Sequence, residues 1–315
     1  MRAVQVREFG GPEVLVAAEV PAPVAGRGQV VIGMRAADVI FLDTLLRGGW
    51  GQEFFPVQPP YVPGGGGAGH VLSVGEGVDP GWVGRHVVAR ASGGYAEQVV
   101  ADVDSLVEVP AGVGSDVAAA LVHDGVTALS LFKQAKVGAG ERVLVAAAAG
   151  GAGSLLVRLA RGAGARVVAA ARGERKLALA RELGAEEVVD YSEAGWQRRV
   201  EAVDLAFDGA GGPLGAAVFD TVAEGGRFVT YGTSDGFTEV DPQVAEQRRI
   251  HVHNPLADGP PDHATVRELL TEALALAERG QLRPFIGATY PLERAKDAHV
   301  SLARRDTVGK SLLII

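Results

Sequence analysis

Apolar residues follow two different rhythms along this chain. Up to about residue 110, short Val- and Ile-rich runs at 30–34, 71–74, 87–90 and 97–100 alternate with Gly and Pro turns, the spacing of a β-rich domain. From about Ser115, buried runs alternate with segments of helical period. The clearest unit is residues 141–172, ERVLVAAAAGGAGSLLVRLARGAGARVVAAAR. Val143, Leu144 and Val145 suit a strand buried on both faces. Gly150, Gly151 and Gly153 follow at once. Leu155, Leu156, Leu159 and Ala160 then repeat at helical spacing, and 167–171 form a second buried run. Downstream the pattern predicts a helix near 176–183, a strand at 187–189, a strand at 203–207 ending on Asp208, a further helix and a strand at 226–231. An amphipathic helix at 265–279 and a closing strand at 307–315 complete it. Strands alternating with helices predict a parallel sheet with right-handed crossovers, and so an α/β fold.

The strand–glycine turn–helix unit is what a dinucleotide requires. Small residues let the backbone approach a pyrophosphate, and a helix N-terminus supplies N–H donors and positive potential. The fingerprint reads A-x-G-x-x-G, with Ala148 in place of the first glycine. An NAD site expects an acid about 20 residues after the glycines. Here Arg172 ends the second strand, with Arg175 and Lys176 close behind and no acid before Glu174. A guanidinium suits the 2′-phosphate of NADP(H), which a carboxylate would repel. The plainer reading of these charges is a solvated helix start.

Composition narrows the class. A chain of 315 residues is long for one domain and predicts two. The net charge of −8 argues against nucleic acid or an anionic membrane as the main partner. The chain contains no cysteine, which removes disulfides, thiolate metal sites and thiol catalysis. The start, MRAVQVREFGGPE, lacks an apolar signal core, and no run is long enough to span a bilayer. A cytoplasmic enzyme acting on a small molecule is the expectation.

The order of motifs resembles a known family over almost the full length. FGGPEVL (9–15), PYVPGGGGAGHV (60–71), VGRHVVA (83–89), AAAAGGAG (146–153), LARELGAEEVVDYSE (179–193), GGRFVTYG (225–232), RGQLRPFIGATYPLERAKDAH (279–299) and the terminal DTVGKSLLII carry the likeness. The chain looks like a zinc-free medium-chain dehydrogenase/reductase of the quinone oxidoreductase (zeta-crystallin-like) branch. The resemblance implies a GroES-like β domain over 1–123, completed by 255–315, and a Rossmann NADP(H)-binding domain over 124–254. Ala149, Gly150, Gly151, Ala152 and Gly153 match its pyrophosphate turn. Arg172 falls where relatives often have Gly or Ser, and Lys176 matches a phosphate-binding lysine. Tyr191 and Arg305 match residues near the adenosine 2′-phosphate, although alone they read as a half-buried aromatic and a surface charge. Thr127 matches a threonine beside the nicotinamide, with Gly232 and Thr233 below its ribose. A homodimer is also implied, and the β-prone segments 249–253 and 285–290 offer strand edges for it.

Zinc-dependent members of the superfamily hold a catalytic metal with Cys, His and Cys or Asp. Here Ile40 and Gly65 take the first two positions, Gly66 replaces the acid after the second, and only His123 remains. One imidazole cannot make the usual three-ligand site. His251 and His253 share a strand face without an evident third ligand, and His70 reads as structural. His123 is expected to point at the substrate, as proton donor or orienting group; its plainer reading is a cap pairing with Asp124. The family's N-x-x-D motif reads Ile40-Phe41-Leu42-Asp43, and Asp43 is the second catalytic candidate. A structural salt bridge from Asp43 to Arg47, one helical turn on, is its other reading. Leu45 replaces a family tyrosine, and with Ile40, Trp50 and Tyr61 predicts a more apolar pocket. The sequence therefore points to an NADPH-dependent, zinc-independent reductase of quinones or α,β-unsaturated carbonyls. The alternatives are a pathway-specific enoyl reductase and a non-catalytic NADPH-binding protein.

Overall fold

The structure, a computed structural model, describes residues 1–255, 257, 259 and 261–315. Residues 256, 258 and 260 of the expected C-terminal tail lie outside the described residues. The chain divides into two compact units, Met1–Val126 with Asp262–Ile315, and Thr127–Pro261. The sequence set these divisions after residues 123 and 254.

The first unit begins with an antiparallel pair, β1 (Arg2–Val6) and β2 (Leu15–Glu19), which the sequence pattern did not reveal. The long β3 (Gln29–Val39) runs into α1 (Phe41–Arg47). Then follow β4 (Gly66–Val74), β5 (His86–Arg90), β6 (Gln98–Asp102), the short β7 (Val107–Glu108) and α2 (Ser115–Leu121). Val30, Ile32, Met34, Val71, Val87 and Leu106 fill its core. Two of the four consecutive glycines, Gly66 and Gly67, belong to β4 and are not loop residues. A Cβ on Gly67 would strike the carbonyl of Ala36 in β3, so only glycine lets these strands pair this closely.

The boundary between the units falls inside α3 (Asp124–Ala135). The second unit is then built from β8 (Arg142–Ala146), α4 (Gly151–Gly162), β9 (Arg166–Ala171), α5 (Glu174–Glu182) and β10 (Glu187–Asp190). The second half supplies β11 (Val203–Asp208), α6 (Gly212–Asp220), β12 (Val222–Thr230), α7 (Pro242–Gln247) and β13 (His251–His253). The strands are ordered β10-β9-β8-β11-β12-β13, and all the pairs are parallel. This is the doubly wound arrangement, whose strand order reverses between β8 and β11. Leu144, Ala146, Val168, Ala206 and Phe228 are fully or almost fully buried, as central strands covered on both faces require.

The chain then returns to the first unit with α8 (His263–Glu278), β14 (Ile286–Pro291), α9 (Ala295–Ala303) and β15 (Lys310–Ile314). β15 pairs antiparallel with β3, with Leu312 opposite Asp38. That register delivers Lys310 to the C-terminal end of β3.

Candidate active site

Beside the C-terminal end of β3, the first unit holds a cavity of about 360 Å³. The start of α1 forms one wall, through Ile40, Leu42, Asp43 and Leu46. Phe54, Phe55 and Val57 form an apolar second wall, and Tyr61, Gly64, Gly65 and His123 close it. Two expected lining residues, Ile40 and Tyr61, are there. The structure places Leu45 and Trp50 outside this lining. Leu42 and Leu46, one turn apart on α1, both line the cavity, so Leu46 takes the place expected for Leu45. Leu46, Phe54 and Phe55 are lining residues that sequence reasoning missed. The run EFFPV was a signal, since two adjacent aromatics before a proline are unusual in a solvated loop.

His123 sits at the back of the cavity, four-fifths buried. Its Nδ1 lies 2.8 Å from Oδ2 of Asp38. That bond replaces the cap pairing with Asp124 that the sequence allowed: Asp124 is turned to Lys310, whose Nζ is 2.8 Å away. The same Nζ donates to Asp38 Oδ2 at 3.1 Å. The opposite edge of the His123 ring faces Gly65, where an added Cβ would lie 3.1 Å from Nε2. A side chain at position 65 would therefore cover the ring edge that borders the cavity. Asp38 has no exposed surface. Burial alone would raise its carboxyl, but the charges and hydrogen bonds of His123 and Lys310 outweigh that and hold it at about 2. Lys310 is pushed above its ordinary range because Asp124 and Asp38 outweigh its own burial.

Asp43 belongs to a second buried network. Its Oδ2 accepts from the Ile40 backbone N–H at 3.0 Å and from the Tyr95 hydroxyl at 2.9 Å. Tyr95 also meets Nε2 of His299 at 3.0 Å, and Nδ1 of His299 accepts from Arg47 at 3.1 Å. The expected Asp43–Arg47 salt bridge is thus not formed. Arg47 is drawn instead to His299 and to the Gly10 carbonyl, and the link to Asp43 runs through an imidazole and a phenol. An arginine can only donate, so His299 must be neutral and carry its proton on Nε2. Burial agrees, since it pushes this imidazole down to about 3.

Burial raises the Asp43 carboxyl to about 6, and the neighbouring Asp38 charge adds to the shift. Its folded pKa exceeds the ordinary 3.8, so the folded state holds this proton more tightly than the unfolded chain. Its stabilising contribution is full below about 4 and is lost as pH rises through about 6. Asp43→Asn is expected to flatten the decline of stability over that window, read as urea-unfolding free energy at stepped pH. An unchanged slope would mean Asp43 is already ionised there.

The second unit carries most of the expected dinucleotide residues on the segments that follow its strands. Ala147, at φ +53°, turns the chain out of β8, and Gly151 opens α4. A Cβ on Gly153 would meet the Ala147 carbonyl and lie 3.1 Å from the Ala148 Cα. Glycine at 153 therefore sets α4 hard against the turn. The first turn of α4, with Gly151, Ala152 and Gly153, presents N–H groups that have no partner inside the helix. Ala149 is buried and Gly150 half-buried.

Arg172 is exposed just past β9, and Lys176 is half-buried in the first turn of α5. Asp190 pairs with Ala171 in register, so Tyr191 follows beside Arg172 and donates its backbone N–H to Ala171 at 3.1 Å. Asp190 was not anticipated. Burial raises its carboxyl, but bonds from Ser192 and Gly173 and the Arg172 charge outweigh it and hold the group below its usual range. Its oxygens are turned to Gly173 N at 2.9 Å and Ser192 N at 2.9 Å, which anchors the loop that carries Arg172.

Gly232 and Thr233 follow β12, half-buried. A Cβ on Gly232 would lie 2.8 Å from Gly209 Cα, so the loops after β11 and β12 touch backbone to backbone. Asp208 was legible only as the acid ending a strand. It is fully buried and accepts from Ala210 N at 2.9 Å and Gly211 N at 3.0 Å, which fixes the first of those loops. Thr127 is half-buried in α3 of this unit. Arg305 belongs to the first unit, half-buried after α9 at φ +60°.

Two of the other histidines singled out in the sequence have partners of their own. His253 Nε2 is 2.7 Å from Gln134 Oε1, and His70 stacks on His86 at 4.8 Å. Among the described residues no group of three or more His, Asp or Glu side chains could hold a metal ion. At the matched catalytic position the side-chain donor set is a single imidazole, already bonded through Nδ1, since Ile40 and Gly65 offer no ligating side chain, and this does not fit zinc.

Residues 26–111 match the family model of the alcohol dehydrogenase GroES-like domain, and residues 183–313 that of the zinc-binding dehydrogenases. A quinone oxidoreductase of Pseudomonas aeruginosa is 32% identical, with 99% of each chain covered. The mouse quinone oxidoreductase is also 32% identical, over all of this chain and 98% of its own. Among solved structures, Escherichia coli quinone oxidoreductase complexed with NADPH superposes with a TM-score of 0.91 at 27% identity, both chains fully covered.

Proposed function

Because this chain belongs to the quinone oxidoreductase branch of the medium-chain dehydrogenase/reductase family, and is an NADPH-dependent oxidoreductase, we propose that it reduces α,β-unsaturated carbonyl compounds without a metal, with His123 as the proton donor. The observation that carries this reading is the seat of His123: Nδ1 is held by Asp38 while the other ring edge borders an apolar cavity.

The chain's own residues fit the cofactor. The close-packed turn at Gly153 and the donors of α4 suit a pyrophosphate. The cations Arg172 and Lys176 suit a 2′-phosphate, and Tyr191 stands beside the first of them; for Arg305 the same role rests on the resemblance alone. Thr127, Gly232 and Thr233 are the proposed nicotinamide-side contacts. NADPH, when bound, supplies a hydride. His123 supplies the matching proton from Nε2 to the α-carbon as the β-carbon accepts that hydride. The products are the saturated carbonyl and NADP⁺, and water reprotonates the imidazole. Phe54, Phe55 and Leu46 keep bulk water from the reacting carbons. Asp43 lines the same cavity, with its bonds aimed at Ile40 and Tyr95; it sets the polarity of the wall.

Quinone reduction is the second reading, favoured by the names of the relatives. NADPH consumption against a panel of enones, enals, enoyl thioesters and quinones separates the two and identifies a pathway-specific enoyl reductase. A non-catalytic binder would be stabilised by NADPH and oxidise none of it. Turnover is expected to survive exhaustive chelation unchanged; loss of activity restored by zinc would overturn the metal-free mechanism. A homodimer is also proposed, because β13 and β14 each end a sheet, with half-exposed apolar residues at Val252 in β13 and at Phe285 just before β14. A monomeric mass by light scattering at micromolar concentration would contradict it.

A further inference from the structure

We infer that Asp38 and Lys310 are positioning residues for proton transfer: Asp38 fixes His123 in one tautomer and draws a proton onto the ring nitrogen that borders the cavity, and Lys310 keeps Asp38 ionised while tempering that pull. The inference rests on the reading of His123 as the acid. It begins with the tautomer. A buried carboxylate can only accept, so the 2.8 Å contact to Asp38 Oδ2 requires the proton on Nδ1. The neutral ring therefore presents a bare Nε2 on its other edge, ready to take up a proton and later release it.

Charge arithmetic gives the second half. Asp38 and Asp124 bring two negative charges and Lys310 one positive, so the trio carries a net −1. Protonating His123 brings the cluster to zero. Arg90, whose Nε reaches the Val122 carbonyl at 3.3 Å, adds a positive charge from β5. Asp43, from α1, adds a further carboxyl. A merely structural filling would not need this cluster, since apolar residues of similar volume stabilise a core at least as well as a buried ion pair. Asp38 also keeps one buried oxygen, Oδ1, without a partner. That cost is unexplained by packing and falls on the residue that holds the imidazole.

The three participants are remote in sequence and share one place through the β15–β3 register. Lys310 has the role of keeping Asp38 ionised while splitting its own charge with Asp124. Removing Asp38 and removing Lys310 should therefore act in opposite senses on His123.

The test has a spectroscopic and a kinetic arm, both on the full chain. In ¹⁵N–¹H spectra of the imidazole rings, the signal lost in His123→Ala identifies His123. In its neutral form the ring is expected to show the Nδ1–H tautomer; an Nε2–H tautomer overturns the inference without any reference to turnover. In kinetics with the best enone, Asp38→Asn should lower kcat by about 10- to 100-fold, leave the KM for NADPH in place, and move the alkaline limb of kcat to lower pH. Asp38→Glu should restore part of the rate. Lys310→Met should move the same limb to higher pH. A variant that merely loosened the fold would not shift the limb in opposite directions. If His123→Ala is slow while the limb of Asp38→Asn stays in place, the positioning role fails alone. If His123→Ala keeps full rate, the acid reading fails and takes this inference with it.

Discussion

His123→Ala is expected to lower kcat for the best enone by about 10²-fold or more, the usual contribution of a positioned general acid. The loss should fall on kcat and not on the KM for NADPH, because the cations proposed for the 2′-phosphate lie on other elements of the chain: Arg172 after β9 and Lys176 in α5. Substrate identity should grade the effect. An enone leaves a carbanion-like α-carbon that needs a proton delivered in place. A quinone leaves an oxygen that water protonates easily, so its rate should fall little. His123→Gln, which keeps a polar group without an acid of useful pKa, should behave like the alanine variant. An unchanged kcat at saturating enone would return His123 to a packing role and leave water as the acid.

The site behind that prediction was only half legible in the sequence. The expectation that His123 faces the substrate came from its resemblance to a metal ligand in related enzymes. Its partner did not. The nearest acid in the chain is Asp124, and local reasoning offered it as the cap. The actual partner lies 85 residues away, and the lysine that balances it lies 272 residues from Asp38. Such contacts depend on strand register, which no local pattern encodes when the C-terminal strand returns to pair with β3. The Asp43–Arg47 pair failed for the same reason. Spacing of i,i+4 makes a salt bridge possible, but α9 brings His299 to Arg47, and a buried guanidinium takes the nearest acceptors available.

The fold itself was more readable. Central strands buried on both faces produce continuous apolar runs, so β8, β9 and β11 stand out against any background. The edge strands β1, β2 and β7 are short or only partly buried, and their alternation is too brief to separate from loop. Glycine usually marks a turn, but in β4 Gly67 marks two strands too close for a side chain.

Arg172→Ala should weaken NADPH far more than NADH, and so collapse the discrimination between them. A well-made hydrogen bond to a charged phosphate oxygen is worth roughly 1–3 kcal/mol, which corresponds to a 5- to 150-fold preference at most for a single such bond, by the usual conversion of about 1.4 kcal/mol per tenfold. The geometry concentrates that preference on Arg172. It leaves β9 beside Tyr191, on a loop whose backbone is pinned by Asp190, which fixes the point from which the proposed phosphate-binding guanidinium extends. Asp190→Ala should then reduce NADPH affinity as well, by freeing the loop, although it removes a negative charge from the neighbourhood. Electrostatics alone predicts the opposite sign, so the direction of this one change separates positioning from charge. Titration calorimetry with both cofactors on the two variants reads it directly. Equal affinities for NADPH and NADH in the unaltered protein would remove the 2′-phosphate role from Arg172 altogether.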